Sequence, residues 1–291
     1  MCVSVGVAHF GCTTLAGWRY QPRQTHCLMY GNEPANRAGA PNAMILHIPV
    51  APNTMLTQAN FIPTDGLRRV TSDMWAAVPE REELDREVRQ YGSPRSKALV
   101  TMFDMGAYTW VAANQASSRA ISDALEFVRP ERRPHVAWPL IDFYLRTWPD
   151  DALAIGCFNQ AGGEATEPTC IEYVPADWNI LRMPAVDAHG EVPRFDQPVL
   201  VNHRLIVGTD EFYLGGHVRY SETIRMDHRL AEVLPRRVVG AELGHIPMPN
   251  GDFYVDFNGF RRPAGRDEVD VLRAHGPELT PAAAEIPMAI R

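Results

Sequence analysis

The chain has one lysine, Lys97, among 28 basic residues, and it carries no cluster of positive charge larger than RPERRP at 129–134. With a formal net charge of −7, it offers no surface for neutralising phosphates, and nucleic acid is not expected as a partner. No apolar run approaches the roughly 18 consecutive residues of a membrane-spanning helix, so no membrane span is expected. A basic n-region is also missing, and Ser4, Gly6 and His9 interrupt the opening ten residues. The start is therefore unlike a secretory leader, and a cytoplasmic protein is expected. The five cysteines, Cys2, Cys12, Cys27, Cys157 and Cys170, are odd in number and lack CxxC spacing. They read as reduced thiols, not as a disulfide framework or a zinc site. GxGxxG, GxxxxGK[ST] and GxSxG are all absent, which removes the dinucleotide fingerprint, the P-loop and the nucleophile elbow.

What is present is a globular pattern: 291 residues, 45% of them hydrophobic, enough for a sizeable core. Residues 2–10, 13–20, 25–31 and 42–50 alternate or run apolar between turn residues and read as strands. Helical spacing follows at 67–78 and in PEREELDREVRQYG, where Pro79 starts and Gly92 stops a second, solvated helix. Strands return at 97–105 and 107–113. A helix then begins at Ser117, and another lies over 139–148 between Pro139 and Pro149. The second half reads as strands at 152–160, 169–174, 198–208, 216–224, 236–243 and 251–260. The sum is an α+β fold, mostly antiparallel sheet with a few helices grouped in the middle of the chain. It forms a single large domain over 1–261, or two packed halves meeting near 184–198, followed by an extension at 262–291 that can serve as a partner-binding arm.

Three groups of residues invite a chemical reading. Cys2 directly follows the initiator methionine, at the head of the strand CVSVGVAHF. Removal of Met1 would leave a free α-amine, which titrates near ~7.7–8.0, beside the thiol as its base. Asp187, His189 and Glu191 alternate in VDAHGE, and His203 lies on the apolar face of VLVNHRLIV. Asp187, His189 and His203 could supply hard oxygen and imidazole ligands to a metal, although a buried histidine is more often hydrogen-bonded in a core. In the last hairpin Asp252, Tyr254, Asp256 and Asn258 share a face opposite Phe253, Val255 and Phe257, as period two dictates for a wet side and a core side.

The start MC with its following strand resembles the N-terminal-nucleophile hydrolases, in particular the cysteine branch of bile-salt and penicillin-type amidases. The resemblance implies an amidohydrolase with Cys2 as nucleophile and its own amine as base. Arg19 in GWRYQP would stand for the arginine of that branch, and Asn32 in MYGNEP would be an oxyanion donor. The early aspartate of the branch has no counterpart, since none occurs before Asp65. Beside it stands the reading that needs no catalytic motif. A binding or self-assembling protein would use its proline-flanked strand edges, near Pro49, Pro52, Pro247 and Pro249, to meet a protein partner or further copies. No cofactor is specified by either reading.

Overall fold

In the computed structural model, residues 3–6, 8–36, 40–79, 99–136, 138–159, 166–213, 215–222, 226–258 and 271–274 are described. Residues 80–92 of the helix expected over 79–92 lie outside them, as does Cys2. After the short β1 (Val3–Ser4) come β2 (Ala8–Tyr20) and β3 (Thr25–Asn36), a long hairpin closed by a 3-10 turn at Gln21–Arg23. β4 (Asn42–Ile48), β5 (Phe61–Ile62) and α1 (Val70–Ala77) complete the first quarter. The middle holds β6 (Leu99–Met105), β7 (Tyr108–Asn114), α2 (Ser118–Leu125), α3 (Trp138–Thr147) and β8 (Ala152–Phe158). Then follow β9 (Thr169–Tyr173), β10 (Ile180–Met183), β11 (Ala188–His189), β12 (Pro198–Val201), β13 (Arg204–Gly208) and β14 (Gly216–His217). The last elements are α4 (His228–Val233), β15 (Arg237–Glu242), β16 (Ile246–Pro249), β17 (Asp252–Asp256) and β18 (Val271–Ala274).

A six-stranded sheet, in the order β11-β1-β4-β8-β7-β6, and a seven-stranded sheet, β14-β15-β13-β2-β3-β9-β5, face each other. Period two explains why both are buried on both faces. Along β4, Met44, Leu46 and Ile48 enter the core between the sheets, while Ala43 and Ile45 point outward under α2 and α3. Leu15, Leu28 and Tyr30 of β2 and β3 point inward, while Ala16, Trp18, Cys27 and Met29 point outward under α1 and α4. The result is four layers, helix on sheet on sheet on helix. β10, β17 and β18 form a separate three-stranded sheet whose Leu181, Phe253 and Val255 join the inner core. Residues 271–274 of the C-terminal extension are thus a paired strand. Capping follows local chemistry: the Ser117 hydroxyl accepts from the Ala120 N–H at 3.2 Å and starts α2 where the sequence places it.

The single strand expected over 198–208 is two. β12 pairs with β16 and β13 pairs with β2 and β15, so the chain changes sheets at Asn202 and His203. Alternation is unbroken across that point, because Val199, Val201, Leu205 and Val207 are apolar whichever sheet receives them, and so it carries no sign of the change. The strands expected at 2–10 and 13–20 divide differently, with Ala8–Tyr20 continuous through a register shift between Gly11 and Thr14.

The centre of the inner core is Trp110, fully buried against Phe61 and Tyr108 and directly across from Gly156, where a Cβ would lie 2.9 Å from its ring. Glycine leaves the space the indole fills. Trp110→Ala should lower the free energy of unfolding by about 3–5 kcal/mol, measured by urea denaturation. A loss under about 1 kcal/mol would contradict this placement of the core.

Candidate functional site

Arg19 closes the far end of β2. Its guanidinium is buried and lies 4.2 Å from the Phe257 ring centroid, 5.0 Å from Trp178 and 5.5 Å from Phe212. Nε donates to Glu211 Oε1 at 2.5 Å. Burial pulls its pKa down against the opposing pull of Glu211. An arginine so enclosed is a pin between elements. Asn32 sits elsewhere: its Oδ1 accepts from the Tyr108 hydroxyl at 3.2 Å. Arg19 pairs in register with His26, six residues before Asn32 on β3, so the two positions lie about 20 Å apart at strand rise. The structure does not bring them to one point, and no single nucleophile can use both.

Asp187 and His189 do come together. β11 pairs in parallel with β1, setting His189 opposite Ser4. The ring reaches Ser4 Oγ with Nδ1 at 3.1 Å and Asp187 Oδ1 with Nε2 at 3.2 Å. The imidazole stands between a serine hydroxyl that it hydrogen-bonds and a carboxylate at ion-pair distance, whose Oδ1 makes no hydrogen bond. The Ser4 hydroxyl is buried and donates to the Gly6 carbonyl at 2.6 Å, while Gly190 N–H donates to the Ser4 carbonyl at 2.9 Å. The arrangement as it stands clasps the opening strand. His203 is buried between β12 and β13, its ring 6.2 Å from that of Phe253. Among the described residues no three His, Cys, Asp or Glu side chains gather as a metal site, so His203 does not complete a ligand set with Asp187 and His189.

A cluster of four ionisable side chains centres on His47, the penultimate residue of β4. Nδ1 is 3.1 Å from Asp151 Oδ2 and Nε2 is 3.1 Å from Asp252 Oδ1. Ionised carboxylates only accept hydrogen bonds, so with both carboxyls ionised each ring nitrogen donates and the ring is an imidazolium. Arg182 pairs with Asp151 and stands 3.7 Å from Asp252 Oδ2, and Ala185 N–H donates to Asp252 Oδ1 at 3.0 Å. Trp148 stacks on the imidazole with centroids 3.9 Å apart. Burial pushes the His47 pKa down, but Asp252 and Asp151 outweigh it and the net shift is upward. Burial likewise pushes Asp252 up, and His47 and Arg182 pull it below its ordinary value. The adjoining void is about 10 Å³, no more than one water needs, so no substrate enters here.

Asp252 is therefore not on a wet face, as alternation in the last hairpin implied. It is 2% exposed because His47 of β4, Arg182 of the neighbouring β10 and the Ala185 backbone close on it. His47 within an apolar strand and Arg182 in ILRM were visible signals of buried charge. Their partners lie 104 and 205 residues from His47, and no local pattern links them.

An open groove of about 420 Å³ lies at the end of β6. Phe61, Pro63 and Met105 supply apolar lining, and Asp65, Asp104, Arg129 and Arg132 supply charge. Arg129 donates to Asp104 Oδ2 at 2.6 Å, and Arg132 stands 3.7 Å from Asp104 Oδ1. The groove thus offers both donors and acceptors beside an apolar floor, which is what a peptide segment requires.

Cys27, Cys157 and Cys170 are free and buried. Cys157 faces α2 and α3, whereas Cys27 and Cys170 face α1 and α4 on the other sheet, so Cys157 and Cys170 cannot bridge. Burial pushes the Cys157 thiol up to about 12, and the other two are also raised. Native alkylation near pH ~8 should leave all three unlabelled, and denaturant should expose them. Native labelling of any one, read by peptide mapping, would contradict their placement.

No family model matches the chain, and no curated protein matches it. Among solved structures, it is similar to the crystal structure of baculovirus P35, with 12% identity and a TM-score of 0.42 over 91% of this chain and 94% of that one. It is similar as well to a mutated baculovirus P35 after caspase cleavage, with 11% identity and a TM-score of 0.39 over 88% of this chain and 94% of that one.

Proposed function

We propose that the protein works by binding another protein, which adds an extended segment to the edge of β6 and seats side chains in the groove at its end. The observation that carries this reading is a difference in length among strand edges. Among the described residues, the six-stranded sheet ends in β11 and β6 and the seven-stranded sheet in β14 and β5. β11, β14 and β5 are two residues long, whereas β6 is seven. Short edges are a common protection against pairing with other chains, and a long one can template a further strand. Met102 on β6 is 43% exposed, an apolar contact beside the backbone edge. Partner binding by strand addition draws affinity from main-chain bonds and selectivity from pockets, and both are supplied within one stretch.

Baculovirus P35 has a structure after caspase cleavage, and that likeness adds no weight to the reading, but it makes a caspase a concrete first probe. Hydrogen exchange of the protein alone and mixed with a caspase should show protection over 99–105 and 129–132. Arg129→Glu together with Arg132→Glu should weaken binding about tenfold or more, about 1.4 kcal/mol. If partners identified by cross-linking in cell extract bind with no protection of β6, or with unchanged affinity for the double variant, this surface is not the site.

A second reading is favoured by the Asp187–His189 pair, which places an imidazole against the strand two residues after Cys2 in sequence. It is an amidohydrolase with Cys2 as nucleophile after loss of Met1. Loss of amide or ester hydrolysis in Cys2→Ala, with the fold retained, would support it, and unchanged hydrolysis would exclude it.

A further inference from the structure

We propose that the His47 cluster is a pH-sensitive latch: its imidazolium holds the strap 184–190 in place, and loss of its proton releases that strap together with the pairing of β1. The strap begins where β10 ends, just after Arg182, and hangs on the start of β17. Ala185 N–H donates to Asp252 Oδ1 at 3.0 Å, the same oxygen that faces His47 Nε2. Two residues on, Asp187 N–H donates to Asn250 Oδ1 at 2.8 Å, and Asn250 Nδ2 donates back to the Asp187 carbonyl at 2.8 Å. The strap then becomes β11, which flanks β1 on the side away from β4. One carboxylate is thus shared between the imidazolium and the backbone that leads to the opening strand.

The charge balance explains the switch. His47 and Arg182 carry two positive charges against Asp151 and Asp252, with none of the four side chains more than 11% exposed. Taking one proton from His47 leaves a net negative charge in a low-dielectric site, and one carboxylate oxygen then faces a lone pair. Other titratable groups against the cluster do not compensate. Tyr254 of β17, which hydrogen-bonds Arg182, is pushed up to about 12 by burial, and Tyr173 of β9 is raised by burial as well. Tyr144 and Trp148 of α3 pack on the ring. The His47 pKa is raised in the fold, so its stabilisation is complete below the ordinary value near ~6.5 and disappears as pH rises through the folded value. The strap carries a second histidine, His189, so the test must separate the two rings.

Hydrogen exchange, corrected for intrinsic rates, of the wild type, His47→Gln and His189→Gln at about pH 6 and about pH 9 makes that separation. The expected result is a loss of protection over 185–190 of about tenfold or more in the wild type between the two conditions. His189→Gln should keep that loss, while His47→Gln should be unprotected there at both. Protection of 185–190 that is unchanged across the range in the wild type, or a loss abolished by His189→Gln alone, would overturn the latch. Should His47→Gln fail to fold, nitrogen-15 shifts of the wild-type His47 ring settle the point. An imidazolium near neutral pH that titrates together with the loss of protection is expected, and a neutral ring there would overturn it.

Discussion

A single imidazolium between two buried carboxylates ties together the parts of the molecule that the two large sheets do not. His47 belongs to the six-stranded sheet, Asp252 and Arg182 to the three-stranded sheet, and Asp151 to the turn between α3 and β8. Hydrophobic contact alone would let the small sheet slide along the sandwich, because apolar packing is not directional. Paired charges out of water allow one register only. Such a cluster adds little over well-packed apolar side chains, but losing one member strands the other charges, which costs about 3–5 kcal/mol. Its contribution is best understood as positional.

The layering also decides where function can lie. Each large sheet is covered inside by the other and outside by helices, so neither presents a broad open face. What remains are strand edges and the rims where loops meet. On the rims, Arg19 is spent on Glu211 and three aromatic rings, and Ser4 on the Gly6 carbonyl. The β6 edge and its groove keep what the rims have spent: a strand long enough to pair, an exposed methionine, and guanidiniums that are ion-paired to Asp104 yet close to the surface.

Much of the fold was legible in the sequence because it follows from local periodicity. Apolar stretches between turn residues marked β3, β7 and β8 and the second half of β2, the Ser117 cap marked α2, and the α+β class followed from their order. The prolines of IPMP hid β16, and the four residues ILRM were too short to announce β10. What stayed illegible is non-local. The switch of sheets at Asn202 and His203 leaves no trace in a pattern of period two, and the wet-face reading of Asp252 failed because His47, 205 residues earlier, and Arg182 on the neighbouring strand close on it. Of the candidate site residues, Asp187 and His189 met as their alternate spacing implied, across β11 and against β1. Arg19 and Asn32 did not, since strand distance separates what the family resemblance joined.

The most direct test of the account is a double-mutant cycle on unfolding free energy with His47→Gln, Asp252→Asn and the two combined. If the imidazolium and that carboxylate hold the small sheet in register, each single change is costly and the pair is coupled by about 1.5 kcal/mol or more. Additive losses, with coupling below about 0.5 kcal/mol, would mean that the two groups do not act on each other and that the register is held by packing alone.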